Sequence, residues 1–88
     1  MYRVIVANLT EDHTDYPILN ENKEYYELIV LKADDECFIR INDTSNDKIR
    51  CYQNLKIKGI PIRRIFLTNP ASSVSGARLE ILLLGGEG

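Results

Sequence analysis

The chain carries a single histidine among 88 residues, and it lies in the stretch EDHTD, where Glu11, Asp12, His13 and Asp15 could each ligate a metal or move a proton. Attack by a Ser or Cys nucleophile needs a base within hydrogen-bond reach, so any hydrolase-type centre would have to be built around His13. A metal centre needs three or four ligands converging from well-placed elements. Contiguous loop residues rarely converge, so EDHTD reads as a solvated acidic loop. Asp34, Asp35 and Glu36, and the run NDTSND from Asn42 to Asp47, offer the hard oxygens that calcium takes. Neither stretch has the alternating ligands, central Gly and closing Glu of an EF-hand loop, and both read as turns. No catalytic, metal or cofactor residues are therefore expected.

The remaining chemistry-bearing residues read as structure. Cys37 and Cys51 lack the CxxC spacing of zinc or redox motifs and are too few for a disulfide scaffold; each falls in a β-like segment and is expected as a small buried hydrophobe. Tyr2, Tyr16, Tyr25, Tyr26 and Tyr52 could stack on sugars or bases but are scattered, as strand-packing aromatics are. Gly85, Gly86 and Gly88 form a tail with no helix behind it to cradle a phosphate. Asn8 and Asn42 match the N-glycosylation pattern but read as chance matches without a secretory route. A formal net charge of -2 gives no broad reason to hold a polyanion. The basic residues Lys56, Lys58, Arg63 and Arg64 read as a solvated strand face. Nucleic acid and membrane are thus not expected partners: the aliphatic runs LIVLKA and LEILLLGG are too short to span a bilayer. MYRVIVANL, broken at Asn8, lacks the form of a signal peptide, so synthesis in a cytosol is expected.

Short apolar runs separated by polar, turn-forming stretches predict an all-β chain. Strands are expected over residues 2–7 (YRVIVA), 24–33 (EYYELIVLKA, whose Glu, Leu and Lys would also tolerate a helix), 37–42 (CFIRIN), within 48–60 (KIRCYQNLKIKGI), over 63–69 (RRIFLTN) and over 77–84 (ARLEILLL). Residues 8–22 are expected as a long connection with a short edge piece at Tyr16–Leu19. Period-two alternation turns Cys37, Ile39, Ile41, Ile65, Leu67, Leu79, Ile81 and Leu83 to one side. An irregularity is expected at Gln53 and Asn54, and Gly59 and Pro61 should stop or bend their strand. The last strand is apolar on both faces where Leu82 and Leu84 replace Arg78 and Glu80, so a second layer or another subunit must cover it. The expected fold is a single domain over residues 1–88: a small β-sandwich or jelly-roll-like barrel of about six to eight short strands. So small a domain often gains stability by assembling with copies of itself.

The ending LEILLLGGEG is similar to that of ubiquitin-like proteins, but the amphipathic helix such a fold needs has no place here, since residues 9–22 are loop-like and residues 36–58 alternate with period two. Residues 24 to 86, with FIRINDTSNDKIRCYQNLKIKGIPIRRIFLTNPASSVSGARLEILLLGG as their main part, resemble small virion structural proteins of tailed bacteriophages and related viruses. In these a G-x-P-I-x-R-I-x-L-T-N segment, a small-residue loop and A-x-L-E-I-L-L-x-G close a β-sandwich, and RRIFLTN and ARLEILLL could then pair as a long-looped hairpin. The resemblance implies a non-enzymatic subunit of the decoration, head-to-tail or minor capsid kind, located in the virion and held by symmetric contacts. Its partners would be copies of itself, a trimer for a decoration protein, and other virion proteins such as the major capsid protein. Tyr2, Phe66, Leu82 and Leu84 are expected as apolar contacts, with Arg63 and Arg64 as a polar rim, although each could equally serve within the core. The rival reading is a small ligand-binding β module of carbohydrate type, using the tyrosines and acidic loops. A pocket of convergent Tyr, Asp and Asn would favour it, whereas a flat apolar patch would favour assembly.

Overall fold

The computed structural model describes residues 1–87, with side chains through residue 85. Strands β1 (Tyr2–Asn8), β2 (His13–Ala33), β3 (Phe38–Ile41), β4 (Ile49–Arg50), β5 (Lys56–Asn69) and β6 (Arg78–Glu87) form one antiparallel sheet in the order β1-β6-β2-β5-β3-β4. No helix occurs among the described residues. The all-β expectation therefore holds. The strands are less uniform than expected: β2 has 21 residues and β5 has 14, because one long ribbon serves both halves of the sheet. The first half of β2 pairs with β5 from His13↔Asn69 to Asn20↔Arg64, and its second half pairs with both β5 and β6.

The ribbon bends in its middle. Register shifts fall between Asn20 and Tyr25 and between Tyr25 and Glu27, and on the facing strand Gly59 adopts φ 90° just before Pro61. Extra residues on one strand bend and twist it, and a positive φ suits Gly best. Gly59 and Pro61 thus bend β5 without ending it. Ile5, Leu79, Ile81 and Leu83 of one half share a single buried cluster with Ile39, Ile41, Ile65 and Leu67 of the other. A single sheet without helices can bury one face so completely only by folding over upon itself, and the bend makes that possible.

The period-two expectation is met by the buried Cys37, Ile39, Ile41, Cys51, Ile65, Leu67, Leu79, Ile81 and Leu83; Ile49, Leu55 and Ile57, which alternate in the segment from 48 to 60, are partly buried and pack against the core. Three expectations are corrected. Residues 13–22 belong to β2 rather than to a long connection. Pro17 is tolerated there because the opposite edge of this part of β2 pairs with no described strand, so a missing N–H breaks no ladder on that side. The segments RRIFLTN and ARLEILLL do not pair as a long-looped hairpin, since β2 lies between β5 and β6. Gly85 and Gly86 are part of β6 rather than a tail; Gly88 lies outside the described residues.

Two glycines show how the turn and the sheet make different demands. Gly76, at φ 68°, has open space around it, whereas a Cβ on Gly85, at φ 104°, would sit 3.0 Å from both the backbone nitrogen and Cδ2 of Tyr26. Gly76→Ala should cost about 1–2 kcal/mol, the strain of a left-handed backbone. Gly85→Ala should cost more, because it adds a clash with main chain; urea unfolding of the two variants should place them in that order.

Candidate interaction surface

Cross-strand partners in a sheet share a face, so the register reads directly as a map of the outer surface. Tyr2 lies opposite Leu84, which lies opposite Glu27, which lies opposite Lys58; the next outward row is Val4, Leu82, Ile29 and Lys56; the third is Val6, Glu80 and Lys32. Each row is apolar at β1 and charged at its far end. Tyr2, Val4 and Val6 are 71%, 48% and 55% exposed, and Leu82, Leu84 and Ile29 are half-buried beside them. Exposed and half-buried apolar side chains of three neighbouring rows thus lie side by side at β1.

This apolar surface opens onto an unpaired strand edge. β1 pairs with β6 on one side, through seven consecutive partners without a register shift, and no described strand pairs with its other side. Edge strands are ordinarily protected by proline, a bulge or outlying charge. β1 has no proline or bulge, and its one charged side chain, Arg3, is neutralised by an ion pair with Glu21. The opposite edge of the sheet is β4, only two residues long.

Of the expected contact residues, the structure brings Tyr2, Leu82 and Leu84 together and leaves the others apart. Phe66 lies on the other half of the sheet, opposite Pro17 and Arg40, and is half-buried. Arg63 pairs with Glu24 at 3.1 Å. The backbone nitrogens of Arg63 and Arg64 donate to Asn42 Oδ1, and by register neither arginine falls within the three rows. Sequence reasoning missed Val4, Val6 and Ile29. The alternation in YRVIVA was a sufficient signal for the valines, whereas Ile29 needs the β2–β6 register.

The residues expected in loops are held by hydrogen bonds. His13 and Asp15 open β2 instead of lying in a solvated loop. Buried Asn69 donates through Nδ2 to the carbonyls of Leu9, Glu11 and Pro70, so its Oδ1 is the acceptor. His13 Nδ1, 2.8 Å away, must then carry a proton. Asp15 accepts from Arg40 Nε at 3.0 Å and from Thr68 Oγ1. No cluster of three or more His, Cys, Asp or Glu side chains suited to a metal occurs among the described residues. A cleft of about 370 Å³ between β1 and the start of β2 takes Tyr16, His13 and Asn8 into its wall. The other tyrosines are elsewhere: Tyr25 is buried, with its hydroxyl donating to Glu21, and Tyr2 is on the outer face.

The DDE stretch and NDTSND are turns, as expected, and their carboxylates act as backbone acceptors. The Arg78 N–H, donating at 2.9 Å, holds the Asp34 carboxyl below its ordinary range. Ser72 Oγ and the Glu36 N–H do the same for Asp35, and Ser45 does so for Asp43. A carboxyl depressed by folding contributes stability above its unfolded pKa, about 3.9, and loses it as pH falls through the folded value. Stability should therefore drop as pH falls below about 4, and Asp34→Asn, which keeps an oxygen acceptor but cannot titrate, should make that drop shallower in urea unfolding at stepped pH. Asn69→Ala, which strands buried carbonyls, should cost about 1–3 kcal/mol by the same measurement near neutral pH.

Comparison with protein families, with curated proteins and with solved structures gives no match for the chain.

Proposed function

We propose that this chain is a non-enzymatic structural subunit of a virus particle, of the bacteriophage capsid-decoration or minor-virion kind, which assembles with copies of itself through the outer face of β1, β6 and β2. The observation that carries the assembly reading is the graded surface, in which the apolar residues of three rows gather at one unpaired edge. A second copy suits it because an apolar strand edge is self-complementary. Its free N–H and C=O groups can be satisfied by the same groups of another β1, and Tyr2, Val4 and Val6 would then meet their own kind. Charged residues at the far ends of the rows, Lys56, Lys58 and Lys32, supply a polar rim of the usual anatomy. The virion assignment rests on the resemblance of residues 24 to 86. In that role the chain would be made in the host cytoplasm and act in the particle, with the major capsid protein as its other partner.

Light scattering coupled to size exclusion tests the assembly. The expected result is a mass about twice that of one chain, because pairing of two β1 edges closes after one contact; a three-fold mass would point to the apolar rows packing without the edge. Val4 is already 48% exposed, so Val4→Lys should leave the fold intact while weakening association at least tenfold, because a desolvated charge costs a few kcal/mol. A wild-type monomer that persists at high concentration would overturn the proposal.

A further inference from the structure

Cys37 and Cys51 are far apart in sequence terms for a redox motif, yet the sheet register makes them neighbours. Phe38 pairs with Arg50 and Ile39 with Ile49, so Cys37 falls opposite Cys51 one step outside the ladder, and the Cys51 N–H donates to the Cys37 carbonyl at 2.9 Å. A hydrogen-bonded antiparallel pair holds its Cα atoms roughly 5.5 Å apart, within the about 4.4–6.8 Å span that a disulfide bridges. Residues opposite one another also share a face, and both thiols are free and turned into the core.

We propose that Cys37 and Cys51 form a cross-strand disulfide site, which a small-molecule disulfide of the glutathione class can close to lock β4 onto β3. The site is independent of the assembly reading. The two buried thiols interact: a side-chain hydrogen bond between them draws Cys37 below the ordinary thiol range and pushes Cys51 far above it. One of the two thiols, as its thiolate, displaces one thiolate from the reagent and forms a mixed disulfide. The other then loses its proton and attacks the first sulfur, closing the protein disulfide and releasing the second small thiol. Two protein thiols are oxidised and one reagent disulfide is reduced to two thiols, which carry away the protons.

Burial does not close the site to reagent. β4 is two residues long and lies at the sheet edge, between the turn at Asn42–Asp47 and the left-handed Asn54. Edge elements with few rungs open locally far more often than the whole domain unfolds, and such opening presents both sulfurs together. The sequence reading of each cysteine as a buried hydrophobe is correct for its burial and leaves out its partner.

The test is to incubate the reduced, folded wild-type chain in a series of glutathione and glutathione-disulfide mixtures, quench by alkylation and read the mass. The expected product, read under denaturing conditions, is a chain with no covalent link to another and lighter by two hydrogen atoms, with peptides containing residues 37 and 51 linked. Cys51→Ser should instead accumulate the mixed disulfide at Cys37. Closing the loop should raise Tm by roughly 10 °C and slow proteolysis between residues 42 and 54 at least tenfold. Two alkylatable thiols on folded wild-type protein in the most oxidising mixture would overturn the proposal, as would a stable glutathione adduct that never resolves. A monomer that forms the disulfide would sink the assembly reading and leave this one standing.

Discussion

The need for one sheet to cover its own inner face governs the whole molecule. With no helix among the described residues to cap it, the inner surface of β1, β6 and the second half of β2 has only the inner surface of β5, β3 and the first half of β2 against which to pack. The β2–β5 ribbon belongs to both surfaces, so its length and its bend follow from the same demand. The register shifts around Tyr25 and the φ of Gly59 place the curvature where two flat halves must turn toward each other. Tyr25 is buried at that bend, where its ring fills the corner and its hydroxyl reaches Glu21.

Folding over leaves one end of the molecule to be closed by loops. Asn69 does most of that closing, since its amide satisfies three carbonyls and orients His13. Asp34 and Asp35 tie their turn to Arg78 and Ser72. Asp34, Asp35 and Asp43 accept from backbone N–H groups that would otherwise be stranded, whereas His13 and Asp15 are held by the side chains of Asn69, Arg40 and Thr68.

Folding over also creates an outside, and the outside is uneven. Its charged end lies over the ribbon, and its apolar end lies at β1, where the sheet stops with an edge that no described strand pairs. Burial of apolar rows and satisfaction of the edge can be achieved together by one event, the arrival of another strand. That coincidence is what gives the assembly reading its physical content. The opposite edge has a different problem, because β4 is too short to hold itself, and the two thiols at its end are placed where a covalent link would do what hydrogen bonds alone do weakly.

Period-two alternation was enough to name Cys37, Ile39, Ile41, Ile65, Leu67, Leu79, Ile81 and Leu83, because a strand with one side in a core must write that fact into every second position, but not the buried Ile62, Asn69 and Ala77. The turns were legible from their Asp, Asn and Ser side chains, which bond their own backbone. The path of the chain was not legible. Pro17 and the polar residues around it argue locally for a loop, and only pairing with β5 makes them a strand; β5 and β6 look like a hairpin until β2 is found between them. Tyr2, Leu82 and Leu84 could be named as exposed or doubly apolar, but that they stand together, with Val4, Val6 and Ile29 and without Phe66 or the arginines, is a property of register. So is the meeting of Cys37 with Cys51. Alternation is a local record of burial, whereas strand order and pairing are contacts between distant segments, and those are decided only when the whole sheet closes on its core.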